Sequence, residues 1–208
     1  MTPFPVRGKR VSCYEPRPLM PARTRDTIGS DYGGVMVEVS EAEMRLMAEI
    51  VHDRLQGPRI LHDAWSAGLI SDLDLRGLIP DTWLYVGWPE RIIGSAKWVS
   101  MFRAAGFLSI PYGMPRPSGP LIVYRGASTE RMAGMSWSED ISRADQFRQR
   151  HAWHAPTAIY RTVVAPDAVL ALLERKGESP PEVVVDPDML GGIQQVGELH
   201  PQRVREIS

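Results

Sequence analysis

Apolar residues recur along this chain in two rhythms, and the change from one to the other divides it. Met44, Leu46, Met47, Ile50, Val51 and Leu55 fall three and four apart, the spacing of one helix face. Ser40, with Glu43 three residues on, is a capping-box arrangement at its start, and Gly57-Pro58 stops it. Residues 59–80 mix Ile60, Leu61, Trp65, Leu69, Ile70, Leu73, Leu75 and Leu78 with Asp72, Asp74 and Arg76, which predicts one or two short helices. Trp83 to Val86 reads as a strand or an extended connection. Pro89 then starts a helix through Ile92, Ile93, Ala96, Trp98, Val99, Phe102 and Ala105 that ends at Gly106. Its aromatic stripe reads as core.

Beyond a Pro- and Gly-rich linker at 113–120 the period shortens. Leu121 to Tyr124 is a buried-type strand and residues 127–135 form a loop. Ser142 caps a helix from Arg143 to Arg150, with Ala144 and Phe147 facing inward. Ala158 to Val164 alternates as a half-buried strand does. Pro166 and Asp167 start a short helix through Val169, Leu170 and Leu173. Glu182 to Val185 is a strand between two prolines, Ile193 to Leu199 another, and Val204 to Ile207 an added edge. The expected fold class is α+β. Three parts are expected: an irregular basic arm at 1–34, a mainly helical accessory segment at 35–118 opening on a short strand at 35–39, and a strand-rich core at 119–208.

Composition narrows the classes. The 208 residues suffice for one domain with an accessory segment. A net charge of -1 gives no general pull toward nucleic acid or an anionic membrane, although Arg7, Lys9, Arg10, Arg17, Arg23 and Arg25 make the arm locally basic. The single cysteine, Cys13, excludes an internal disulfide and suggests a reducing compartment; it lies far from any base and is not expected to be a nucleophile. No apolar run reaches membrane-spanning length and the first residues hold no signal core, so a cytoplasmic protein, or one exported without a cleaved signal, is expected. His52 and His62 have no ligand partner at a useful spacing, and His151 and His154 lack a third, so no metal is expected.

Three polar residues sit where a packed core would not choose them. Arg125 ends an apolar strand and precedes glycine, which suits a planar anion. Ser136-Trp137-Ser138 puts two hydroxyls on one side of an extended backbone and the indole on the other. Glu182 opens a Val-Val-Val strand, and a carboxylate there needs a partner or a task.

Taken in order, Tyr124-Arg125-Gly126, Ser136-Trp137-Ser138 and Glu182 resemble the arginine–serine–glutamate motifs of toxin-like ADP-ribosyltransferases, over roughly residues 119–200. The resemblance implies a compact split β-sheet core at 119–208. It implies a glycosyltransferase that transfers ADP-ribose from NAD to a macromolecular target, protein or nucleic acid, with release of nicotinamide. NAD is then a substrate, and neither a metal nor a membrane is called for. By the same resemblance Glu182 stabilises the oxocarbenium-like ribose and holds its 2′-hydroxyl. Arg125 holds phosphate or ribose, and Ser136 orients Glu182. Gly126 offers its backbone to the nicotinamide amide, Trp137 or Phe147 walls the ring, and Tyr124 and Ser138 complete the NAD site. Nicotinamide departs neutral from a cationic pyridinium, so one carboxylate suffices where glycosidases need two.

The chain departs from the family at Pro180. Enzymes that modify protein side chains often carry Gln or Glu two residues before the glutamate, and Glu178 is the nearest substitute here. The compact spacing from Arg125 to Glu182 implies either a minimal core or first-half helices that complete the NAD cleft. Three other readings stand beside the transferase: an NAD glycohydrolase on the same fold, a non-catalytic binding or interaction module that keeps the shape, and a purely structural reading in which Arg125 and Glu182 form a buried ion pair and the serines make turns. Short enzymes of this type occur in toxin–antitoxin pairs, phages and secreted effectors, which suggests an inhibitory or host-modifying role by analogy.

Overall fold

A computed structural model describes residues 41–53, 55–152, 155–175 and 180–196, and of residues 42, 43, 51, 52 and 151 the backbone only. The expected basic arm, the strand at 35–39, the Ser40 cap, Cys13, His154, Glu178 and the chain beyond Val196 lie outside these residues.

The described residues form a mixed α/β arrangement of six helices and a seven-stranded mixed sheet. Five helices come first. They are α1 (Glu41–His52), α2 (Gly57–Ser66), α3 (Asp72–Tyr85), α4 (Pro89–Ile93) and α5 (Ser95–Ala105). Three local expectations change here. α1 ends at His52, and Gly57-Pro58 opens α2 instead of stopping α1, because proline fits the first turn of a helix, where no intrahelical N–H bond is lost. Trp83 and its neighbours continue α3 to Tyr85 instead of running extended. Pro80 costs that helix a hydrogen bond, but Leu75, Leu78, Ile79, Trp83 and Leu84 are buried around much of its circumference, and packing outweighs the break. The helix expected from Pro89 to Ala105 divides at Gly94, whose φ of 83° no helix accommodates.

The strands follow: β1 (Leu108–Ile110), β2 (Leu121–Ser128), β3 (Ser136–Ser138), β4 (Thr157–Val164), β5 (Val169–Leu173), β6 (Glu182–Val185) and β7 (Gln194–Val196). The sixth helix, α6 (Ile141–His151), lies between β3 and β4, and its N-cap is Asp140 rather than Ser142: the Asp140 carboxylate accepts the Ser142 N–H at 2.8 Å. The short helix expected from Pro166 is a single 3₁₀ turn leading into β5. Val-Leu-Ala-Leu-Leu is buried at every position, and a wholly apolar run carries no period to separate helix from strand.

The sheet order is β1-β5-β6-β3-β2-β4-β7. It consists of two blocks, β1-β5-β6-β3 and β2-β4-β7, that meet through one registered pair, Tyr124 opposite Ser138. Past that pair β2 and β3 diverge, and the loop from Thr129 to Met135 bridges the fork.

Opposed residues in antiparallel strands point to the same face. Register therefore puts Tyr124, Ser138 and Glu182 in one row. On that face, Ala171, Leu173 and Val184 pack with Trp83, Trp98 and Phe102 of the helical segment in one continuous core. Arg103 of α5 also reaches Asp186, just past β6, at 3.0 Å. Over β2 on the same face sits α6. The opposite face carries a second core of Val123, Trp137, Tyr160, Val183 and Val185.

The seat of α6 depends on Gly126. A Cβ there would overlap the Ala144 carbonyl oxygen and the Arg148 amide nitrogen, both helix backbone atoms that cannot swing aside. We predict that Gly126→Ala lowers stability by about 3 kcal/mol, read as a drop in the urea midpoint. An unchanged midpoint would contradict this seating of α6.

Candidate active site

Between the helical segment and α6, the sheet face is open. A cleft of about 700 Å³ occupies that gap, lined by the Trp83–Arg91 region on one side, by Arg143, Ala144 and Phe147 of α6 on the other, and by β2, β3 and Glu182 below. Every residue expected at the site borders this one cleft, so the structure brings together side chains that are distant in sequence.

Arg125 stands in the fork between β2 and β3. Its Nε donates to the Arg131 carbonyl at 3.1 Å and its Nη1 to the Ser136 carbonyl at 2.6 Å. Its Nη2 lies 3.6 Å from the Glu90 carboxylate. The other Glu90 oxygen accepts the Met135 N–H, so Glu90 fastens α4 to both the arginine and the loop. The guanidinium lies against Gly134, where a Cβ would overlap it. Burial pulls the Arg125 pKa below the usual arginine range, and the carboxylates of Glu90 and then Glu182 pull it back up. An arginine remains protonated at neutral pH under such opposing effects. Its ion-pair partner is thus Glu90, not Glu182 as the purely structural reading has it.

Glu182 is half-buried at the start of β6. Its Oε1 accepts the indole N–H of Trp83 at 2.8 Å, a bond between residues far apart in sequence. Ser136, expected to orient this carboxylate, lies opposite Val184, and it is Ser138 that lies opposite Glu182. Ser138 is buried, and its hydroxyl accepts the Asp140 N–H at 3.1 Å, which shapes the turn into α6. Tyr124 lies beyond it in the same row. The Trp137 ring is 2% exposed in the core of the opposite face and donates to the Gly134 carbonyl at 2.6 Å, so it offers the cleft no ring surface. Phe147, 36% exposed on α6, does offer one, with the Arg150 guanidinium 5.5 Å from its centroid.

The rim is cationic. Arg91, Arg131, Arg143, Arg150 and Arg175 border the cleft together with Arg125, and they outnumber Glu90, Glu130 and Glu182 in a chain whose net charge is -1. Arg143 is tied by Nη1 to the Pro180 carbonyl at 3.1 Å, which places it beside the strand that carries Glu182. Arg91 stacks on the Trp88 ring at 3.7 Å, and Trp88 itself has a left-handed backbone with φ 92°. Such a site suits an elongated anion with aromatic parts. Among the described residues no group of His, Cys, Asp or Glu is arranged to hold a metal ion, and no helix is long and apolar enough to cross a membrane.

No family model, curated protein or solved structure matches this chain.

Trp83 and Glu90 escape a reading of the sequence. An acid in the first turn of a helix is an ordinary preference, which hides Glu90. Trp83 sits in an apolar run, and its only signal is that a buried indole N–H must find an acceptor somewhere. We predict that Arg125→Lys lowers stability by about 1–3 kcal/mol, because the Ser136 and Arg131 carbonyls lose their donors. Denaturant unfolding measures this, and a neutral substitution would mean that the fork does not depend on the guanidinium.

Proposed function

We propose that the chain is an NAD-dependent mono-ADP-ribosyltransferase with an ADP-ribosyltransferase-like split sheet, in which the cleft over β2, β3 and β6 takes NAD. The observation that carries this reading is the convergence of Tyr124-Arg125-Gly126, Ser136 and Glu182 on one cleft, with the carboxylate of Glu182 on its floor. The two strand blocks that meet at a single pair, Tyr124 with Ser138, support the split-sheet part of it.

The residues present fit the ligand. About 700 Å³ falls within the size range of cofactor-sized pockets. The rim arginines suit a pyrophosphate, and Phe147 suits a flat ring. The roles shift from those the resemblance implies. Three sides of the Arg125 guanidinium are engaged by the protein, so its main task is to hold the fork open, and anion binding falls to the rim arginines together. Gly126 keeps α6 close against the strand and so fixes Phe147 over the cleft. Ser136 lines the floor. Glu182 supplies negative charge where positive charge develops on the ribose as the bond to nicotinamide breaks, and the nicotinamide leaves neutral with the bonding electron pair.

The acceptor is a macromolecule in this reading, protein or nucleic acid. One observation favours a second reading, an NAD glycohydrolase. Pro180 has no polar side chain to engage an acceptor, and its carbonyl is taken by Arg143, which favours water as the acceptor. Free ADP-ribose measured against label on target separates the two.

Glu182→Gln is the sharpest variant. It keeps an oxygen for the Trp83 N–H and removes the charge. We predict that nicotinamide release from NAD falls about 100- to 1,000-fold, with the unfolding midpoint little changed. Undiminished release would contradict the assignment of Glu182.

A further inference from the structure

Glu182 has two carboxylate oxygens, and the fold engages them unequally. Oε1 accepts the Trp83 N–H at 2.8 Å. The donor is held rigidly. Trp83 is 2% exposed, and its ring meets Trp98 edge-on at 5.0 Å and Phe102 at 5.5 Å. The indole therefore cannot rotate without unpacking the core of the helical segment, and its N–H stays aimed at the cleft floor.

Resting on the function proposed above, we propose that Trp83 is the positioning residue of Glu182: the helical segment fixes the rotamer of the reacting carboxylate through a neutral donor. An indole N–H donates and carries no charge. It selects one orientation of the carboxylate and leaves the full negative charge on it, whereas an arginine or lysine in its place would partly cancel the charge that the ribose needs. The second oxygen is left for the ribose. This gives α3 a part in the chemistry. The working unit then runs from the helices through β6 rather than beginning at the strands.

A purely structural account exists, in which Glu182 merely satisfies a buried N–H. Trp98 discriminates between the two, because it belongs to the same aromatic cluster, also donates from its N–H, and does not border the cleft. The experiment compares the full-length chain with Trp83→Phe and Trp98→Phe, using steady-state nicotinamide release from NAD and urea unfolding. Positioning predicts that Trp83→Phe lowers kcat about 10- to 100-fold while KM for NAD stays within about threefold, as expected when a reacting group loses its aim rather than its ligand contacts. Trp98→Phe keeps an aromatic ring against Trp83 and gives up only an N–H that serves the Pro89 carbonyl, so kcat then stays within about threefold although stability falls. Should Trp83→Phe fail to fold, benzothienylalanine at position 83, with sulfur in place of the N–H and the same outline, is expected to show the same loss of kcat. Equal kcat losses in the Trp83 and Trp98 variants, or an unchanged kcat in a folded variant lacking the Trp83 N–H, would overturn the assignment. If the wild-type chain releases no nicotinamide, the parent function and this role fall together. If the wild type is active and loss of the Trp83 N–H is silent, only this role falls.

Discussion

The Arg125 guanidinium joins four pieces of chain at one point. It grows from β2, binds the carbonyl of Ser136 in β3, binds the carbonyl of Arg131 in the bridging loop, and pairs with Glu90 in α4. β2 and β3 share only one registered pair, so little else holds the two strand blocks at their junction. A planar group with donors spread around its edge can satisfy acceptors in several directions at once, which lysine cannot do. Burial opposes its charge, and Glu90 offsets that cost at close range. The cleft floor is the surface on which this junction opens.

The two glycines nearby follow from the same constraint. Gly134 leaves room for the guanidinium, and Gly126 leaves room for α6 beside the strand that carries it. With α6 seated on one side and the aromatic core of α3 and α5 on the other, the sheet face between them is left uncovered. Trp83 and Glu90 then reach in from the helical side to the two charged residues of the floor. The helices at 41–105 are therefore part of the cleft wall as well as packing on the sheet.

How much of this was legible in the sequence depends on what each residue answers to. β4 and β6 were readable because alternation and flanking prolines are local signals. The buried β5 was not, since a run of apolar residues looks alike in either conformation, and α3 was obscured by a proline that tertiary packing tolerates. Arg125, Ser136 and Glu182 were legible as polar residues in apolar settings, and all three border the cleft. Their partners were not. Glu90 and Trp83 look ordinary in their own helices and acquire meaning only through contacts across the fold. Trp137 shows the reverse case. Its alternation with the two serines foretold that its ring would face away from them, and the ring is in the opposite core.

The proposed function requires that the cleft take NAD. Isothermal titration of the intact chain with NAD tests it without assuming any acceptor or turnover. A single saturable site is expected, with nicotinamide and ADP-ribose each competing for part of it. No measurable heat and no competition up to millimolar NAD would contradict the account.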